Sequence, residues 1–165
     1  MRMNERMRSS LRQAGPADFA KGEKLSEELS HLLAQGFTNF DGTIIFTAMR
    51  NIAEKVKPEN FSDKTAFECF VNHIHVEDQL DEPEFDRLGL LKQSVAFALT
   101  AERELRSVFP AKSFKVIVAA KADGCEVRFH AARPGEEWLA SDLDGYGEEA
   151  ILVLELTNRF VLTQS

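Results

Sequence analysis

The feature that most constrains this chain is a change in hydrophobic periodicity near Pro110. Before this residue, apolar side chains recur three and four positions apart, as they do along one face of a helix. After it, residues 125–131 alternate between apolar and polar side chains, and residues 114–122 and 151–156 are short, largely apolar runs. Such runs are typical of strands. A helical part followed by a stranded part predicts an α+β fold.

Four helices are predicted before Pro110, each from an apolar stripe with a plausible end. They cover residues 18–35, 43–57, 62–77 and 84–108. Asp18 and Ser62 are candidate N-caps, because a short polar side chain can accept a hydrogen bond from a free amide of the first turn. Pro58 ends the second helix, since the residue before a proline avoids helical backbone angles. Residues 37–42 are expected to form a turn, and no strand is expected between residues 20 and 100.

Three strands are predicted after Pro110, joined as an antiparallel meander. Asp123-Gly124 favours a tight hairpin turn, because both of its positions require positive φ. In the second strand, Val127 and Phe129 share one face, and the other face carries three polar side chains. That face holds Glu126, Arg128 and His130. The predicted architecture is therefore four N-terminal helices packed on a C-terminal three-stranded meander.

The length of 165 residues fits a single domain. Residues 1–14 are rich in methionine and arginine, and they lead into Gly15-Pro16, which breaks regular structure. We predict that residues 1–14 form a flexible segment and that residues 15–165 form one α+β domain.

The sequence favours a cytoplasmic protein. Its two cysteines, Cys69 and Cys125, are too few for a disulfide framework and fit a reducing compartment. No apolar run reaches the roughly 18 residues of a membrane span, and no secretory signal is recognisable near the N-terminus. We expect no membrane partner.

Charge is distributed unevenly along the chain. The net charge is −7, but residues 1–12 carry +3, so the remainder carries −10. Phosphate binding needs a positive surface, and we therefore expect no nucleic-acid partner. An acidic chain favours a basic protein partner, or a charged surface that serves solubility alone.

Sequence motifs for catalysis are absent. The chain contains no G-x-S-x-G nucleophile elbow, no Walker motif and no G-x-G-x-x-G dinucleotide motif. We predict no catalytic residue and no cofactor.

Residues 69–77 hold the only candidate metal ligands with suitable spacing. On a helix, Cys69, His73 and Glu77 would share one face, whereas on a strand His73, His75 and Glu77 would do so. A catalytic zinc site needs three protein ligands and a structural site needs four, and the stretch has neither an H-E-x-x-H motif nor paired cysteines. We expect ordinary surface residues and no bound metal. A small metal-dependent enzyme or metal sensor on the Cys69/His73/Glu77 face is the alternative.

Two stretches concentrate carboxylates without any basic residue, at 77–86 and at 136–149. The second also contains the only tryptophan and the only tyrosine of the chain, and these residue types often anchor protein interfaces. We assign partner binding to Glu136, Glu137, Trp138, Asp142, Asp144, Tyr146, Glu148 and Glu149. The competing interpretation is a solvated loop in which Trp138 and Leu139 cover the edge of the sheet.

The run from Arg128 to Tyr146, together with residues 149–155, resembles the closing segment of small bacterial proteins, and the size and acidity of the chain resemble those of immunity proteins. Immunity proteins belong to bacterial toxin systems such as contact-dependent inhibition and polymorphic toxins. The resemblance implies a non-enzymatic protein that binds and neutralises a basic toxin domain, such as a nuclease, by covering its active cleft. A regulatory adaptor with another protein partner remains the alternative.

Overall fold

The computed structural model of the protein describes residues 1–14, 22–80 and 86–157. These ranges contain five α-helices and seven β-strands, and the fold is α+β as predicted. The helices are α1 (Glu5–Gln13), α2 (Glu27–Ala34), α3 (Arg50–Lys55), α4 (Lys64–Val71) and α5 (Arg87–Val108). The strands are β1 (Arg2–Met3), β2 (Phe37–Phe40), β3 (Thr43–Phe46), β4 (Ile74–His75), β5 (Phe114–Ala120), β6 (Cys125–Ala131) and β7 (Ala150–Leu156).

The larger sheet has the strand order β1-β7-β5-β6-β4, with every neighbouring pair antiparallel. The prediction of a three-stranded meander was wrong, because β5 lies between β6 and β7. The outer edge of β6 is occupied by β4, which pairs His75 with Glu126. β7 pairs instead with the other edge of β5, placing Ala150 opposite Ala120.

This strand order makes β6 and β7 parallel to each other, since both are antiparallel to β5. A tight turn cannot join parallel strands, so the chain must travel back along the sheet between them. Residues 132–149 make this return, and we call them the crossover loop. Leu143 of this loop packs on Ile117 and Val153, which point to the outer face of the sheet, away from α5.

The main core lies between α5 and the inner face of the sheet. α5 confirms the predicted fourth helix, although residues 84 and 85 lie outside the described residues. Its first turn is capped by Asp86, whose carboxylate accepts a hydrogen bond from the Gly89 amide at 2.7 Å. Val127 and Phe129 face this core as predicted and are fully buried.

The second predicted helix is wrong over its first half. Residues 43–46 form β3, which pairs with β2 through an Asp41-Gly42 turn whose φ angles are 49° and 78°. Both angles are positive, as a two-residue hairpin turn requires. Thr43 to Phe46 are buried without alternation, so a strand that is covered on both faces resembled a helical stripe in sequence. Only Arg50–Lys55 of the predicted helix is α-helical.

Three other boundaries also differ from the prediction. α2 begins after Ser26, whose hydroxyl accepts a hydrogen bond from the Leu29 amide; the predicted cap Asp18 lies outside the described residues. α4 begins after Asp63 rather than Ser62, and it ends at Val71 because β4 follows it.

The hairpin between β5 and β6 is confirmed, but Asp123 and Gly124 do not adopt positive φ. The Lys121 amide donates to the Gly124 carbonyl instead, which closes a four-residue turn.

The small β2–β3 hairpin is attached to the main sheet by the side chain of Asn72, the residue that follows α4. Buried Asn72 accepts from the Phe46 amide at 2.9 Å and donates to the carbonyls of Ile44 and Phe129. In the described part of the chain, no strand fills the gap between the edges of β3 and β6. Asn72 therefore supplies hydrogen-bond partners to the backbone groups on both edges. Buried backbone groups need such partners, so Asn72 allows the two sheets to share one core.

The first fourteen residues form β1 and α1 where we predicted a flexible segment. β1 pairs with β7, and Met7 of α1 is fully buried in the main core. The alternation of arginine with apolar residues concealed this role, because Met7 and Leu11 are the only apolar residues within α1. A single buried methionine on a polar helix leaves little periodic signal.

Candidate functional site

The side chains that could bind a ligand or take part in chemistry lie together on the outer face of the main sheet. Its apolar centre is covered by the crossover loop. Beside that centre lies a pocket of about 240 Å³ between the sheet and the loop. Its polar and aromatic lining consists of Lys121, Glu126, Arg128, Trp138, Tyr146 and Glu149.

The charges in this pocket are paired with one another. Glu126 accepts hydrogen bonds from Lys121 at 3.1 Å and from Arg128 at 2.7 Å. Lys121 also lies 3.8 Å from Glu149. Burial opposes the ionisation of Glu126, but the hydrogen bonds from Lys121 and Arg128 outweigh it and lower the pKa of this carboxyl to about 2.

The aromatic wall of the pocket is held by local contacts. The Arg128 guanidinium lies 5.1 Å from the centroid of the Trp138 ring, a favourable cation–π distance. The Tyr146 hydroxyl accepts a hydrogen bond from the Ala140 amide at 3.0 Å. These two contacts fix the loop around its exposed tryptophan.

The structure divides the eight residues assigned to partner binding into two groups. Five are exposed, namely Glu137, Trp138, Asp142, Asp144 and Glu148. Three are partly buried, namely Glu136, Tyr146 and Glu149.

Some of these carboxylates support the fold directly. Glu136 accepts from both the amide and the hydroxyl of Thr65, in the first turn of α4. Asp144 accepts from the Glu5 amide at 2.8 Å, in the first turn of α1. A carboxylate at a helix N-terminus satisfies free amides and interacts well with the helix dipole. Some carboxylates of the loop therefore stabilise the fold, and others are exposed and available to a partner.

The predicted helical face of Cys69, His73 and Glu77 does not exist. α4 ends at Val71, and Cys69 is buried within it. Burial raises the pKa of the Cys69 thiol far above its usual value, and burial likewise raises the pKa of Cys125 to about 11. Neither thiol is an activated nucleophile.

The two histidines of this stretch lie instead beside Glu126. His73 Nε2 is 3.2 Å from Glu126 Oε2, and the rings of His73 and His75 are 4.3 Å apart between centroids. Glu77 Oε1 lies 3.6 Å from His75 Nδ1. Burial, together with the nearby Arg128 guanidinium, lowers the pKa of His73, so its ring is neutral at neutral pH.

Three members of this site, Lys121, Glu126 and Arg128, are not among the binding residues predicted from the sequence. The sequence indicates a polar face on β6 but not what covers it, because a strand with one apolar face usually covers only one core. One sequence signal does point to this site. The segment between β6 and β7 is long and contains Trp138 and Tyr146, and such a connection can cover the second face of a sheet.

The fold and this face define an α+β protein whose five-stranded antiparallel sheet carries helices on one side and a charged crossover loop on the other. The chain belongs to the uncharacterized protein PM0498 family, whose model matches residues 2–163. No curated protein and no solved structure matches the chain. Across residues 1–14, 22–80 and 86–157, no helix is both long and apolar enough to cross a membrane.

Proposed function

We propose that this protein is a non-enzymatic binding protein that recognises a basic protein domain through its crossover loop. In line with the resemblance to immunity proteins, the partner is a toxin domain whose active cleft the loop covers. We place this activity in the cytoplasm, which is supported by the two buried, unpaired thiols.

The observation that carries this proposal is the exposure of Trp138. Its side chain is 39% exposed although tryptophan is usually buried in monomers, and its ring is held by Arg128. A rigid, partly exposed aromatic residue loses little entropy on binding, which is the character of an interface anchor.

The exposed carboxylates of the same loop supply the charge. Glu137, Asp142, Asp144 and Glu148 are all exposed, and Glu137 forms an ion pair with Lys115. Exposed negative charges raise the rate of association with a basic, positively charged partner through long-range attraction. The pocket charges, in contrast, are paired with one another, which favours a structural role for them over acid–base catalysis.

The test removes the four exposed charges while keeping the shape of the loop. The variant carries Glu137→Gln, Asp142→Asn, Asp144→Asn and Glu148→Gln. An amide keeps an acceptor oxygen, so the bond from the Glu5 amide to residue 144 survives. The candidate partner is the protein encoded beside the gene for this chain, because immunity proteins are encoded next to their toxins.

We expect the association rate at low salt to fall on the order of tenfold, with little change at high salt, because exposed charges are screened over about 8 Å at physiological ionic strength. A control variant removes the same charge elsewhere through Glu27→Gln, Glu54→Gln, Glu59→Gln and Asp78→Asn. Equal association rates for the two variants would contradict docking through the crossover loop.

A further inference from the structure

We propose that His73, His75 and Glu126 form a binding site for one divalent transition-metal ion. One ligand atom from each of the three residues lies within 4.8 Å of the others. Two imidazoles and one carboxylate are a ligand set that suits Zn²⁺ and other first-row divalent ions, with further positions open to water. The evidence for this site does not rest on the proposed partner binding.

The spacing of the ligand atoms fits a single ion. In tetrahedral coordination at metal–ligand distances of about 2.1 Å, two ligand atoms lie about 3.4 Å apart. His73 Nε2 and Glu126 Oε2 are 3.2 Å apart. These two atoms can therefore bind one ion after small side-chain rotations.

The backbone holds the third ligand in place. His75 is the direct partner of Glu126 in the β4–β6 ladder, and side chains of directly paired residues lie on the same face of a sheet. Metal-bound histidines usually present their second ring nitrogen to a carboxylate, which fixes the ring. Glu77 Oε1 lies 3.6 Å from His75 Nδ1, which leaves Nε2 of His75 for the ion.

Glu77 is itself anchored by the β5–β6 turn. Its Oε2 accepts a hydrogen bond from the Cys125 amide at 3.0 Å. A Cβ at position 124 would lie 2.1 Å from Glu77 Oε1, so glycine is required there for the carboxylate to approach. The orientation of the proposed ligand His75 is therefore supported from outside the site.

Arg128 is the competitor of the ion. Its guanidinium lies 3.0 Å from His73 Nε2 and 2.7 Å from Glu126 Oε2, and it must turn away when the metal binds. The charges at the site permit this exchange, because Glu126 also pairs with Lys121, and the carboxylates of Glu77 and Glu149 lie beside His75 and Lys121. The other oxygen of Glu126 keeps its bond to Lys121.

The prediction from sequence that His73 and His75 bind no metal was based on ligands close together along the chain. Glu126 is about fifty residues away in sequence and joins them only through the pairing of β4 with β6. Spacing along the sequence therefore could not identify Glu126 as the third ligand. With Glu126 included, we propose a metal site where the sequence predicted none.

The experiment is a titration of the full-length, chelator-stripped protein with ZnCl₂, followed by calorimetry and by tryptophan fluorescence. Trp138 is the only tryptophan, and it reports on Arg128 because the guanidinium lies over its ring. We expect one saturable site and a fluorescence change that titrates with it. His73→Ala and His75→Ala should each weaken binding at least tenfold, because each removes one of three ligands.

His31→Ala is the matched control, because His31 is exposed on α2 and lies outside the site; its zinc affinity should equal that of the wild type. Arg128→Gln should bind zinc several times more tightly, since the competing charge is gone. Circular dichroism melting checks that each variant is folded. No saturable binding by the wild-type protein, or unchanged binding in both His73→Ala and His75→Ala, would overturn the proposal.

Discussion

Glu68 brings a negative charge into the core between α4, β3 and β6. Its side chain is fully buried, and it accepts hydrogen bonds from the amides of Ile44 and Ala131 at 2.7 and 2.8 Å. The Arg133 guanidinium donates to both of its oxygens, at 2.7 and 2.9 Å. A buried charge is tolerated only when it is paired and fully hydrogen-bonded, as it is here.

Replacement of Glu68 by alanine should destabilise the protein by about 3–5 kcal/mol, because Arg133 loses its buried ion-pair partner and two buried amides lose their acceptor. Urea unfolding measures this loss as a decrease in the free energy of unfolding. Glu59→Ala serves as the control at an exposed position and should change stability by less than about 0.5 kcal/mol. A loss below about 1 kcal/mol for Glu68→Ala would show that the pair contributes no net stability.

Glu126 should make the stability depend on pH in acid. Its pKa is lowered from 4.5 to about 2 in the folded protein, so the folded state holds the ionised form more strongly than the unfolded state does. The stabilisation is therefore complete above pH about 4.5 and is lost as the pH falls towards 2. We expect the difference in unfolding free energy between wild type and Glu126→Gln to be smaller at about pH 3 than at about pH 7.

This comparison is made with a chelator present, so that bound metal contributes nothing to either protein. Glu148→Gln, at an exposed position of the crossover loop, is the control for the removal of one carboxylate. A difference between wild type and Glu126→Gln that stays constant across the window would contradict the lowered pKa of Glu126.

At the scale of elements, Asn4 joins three of them. Its Oδ1 accepts from the amides of Met7 in α1 and Ile151 in β7. Its Nδ2 donates to the carbonyls of Leu143 and Glu149 in the crossover loop, at 3.3 and 2.7 Å. One buried amide therefore caps a helix and ties it to a strand and to the loop.

Asn4→Ala should cost about 3 kcal/mol, because it removes a helix cap worth about 1 kcal/mol and leaves buried backbone groups without partners. Hydrogen exchange should become faster at the Met7 amide than at the central Val118 amide, since α1 loosens before the sheet does. Asn60→Ala, at an exposed position, is the control. Unchanged exchange at Met7 would contradict the role of Asn4 in holding α1 to the sheet.

At the scale of the whole molecule, Trp138 distinguishes an interface anchor from a cover for the sheet. Trp138→Ala should lower the free energy of unfolding by only about 1 kcal/mol, the size of a partly exposed cation–π contact. Its dissociation from the partner should accelerate about thirtyfold, which corresponds to the loss of about 2 kcal/mol at an anchor. Melting curves and dissociation kinetics are the two measurements.

Phe70→Ala is the control for this variant, because Phe70 is 50% exposed on α4 and lies outside the crossover loop. It should leave dissociation unchanged. A large loss of stability in Trp138→Ala with normal dissociation would assign the ring to covering the sheet and would contradict the anchor.

Local sequence alone determined the α+β class, the helix that became α5, the β5–β6 hairpin and the inward face of Val127 and Phe129. These features depend on neighbours within a few positions, where periodicity, caps and turn residues act. The β2–β3 hairpin could also have been found, because Asp41-Gly42 is the same turn signal as Asp123-Gly124. It was missed because β3 is buried on both faces and its apolar run continues into α3.

Tertiary structure alone decided the strand order and, through it, the candidate site. β7 pairs with the free edge of β5 while β4 and Asn72 occupy the edge of β6, and this choice of edge has no local signature in the sequence. The consequence is that the acidic segment becomes a crossover loop on the outer face of the sheet. The same pairing brings His73 and His75 to Glu126, a proximity that sequence spacing cannot encode because it arises from strands joined only in the folded chain.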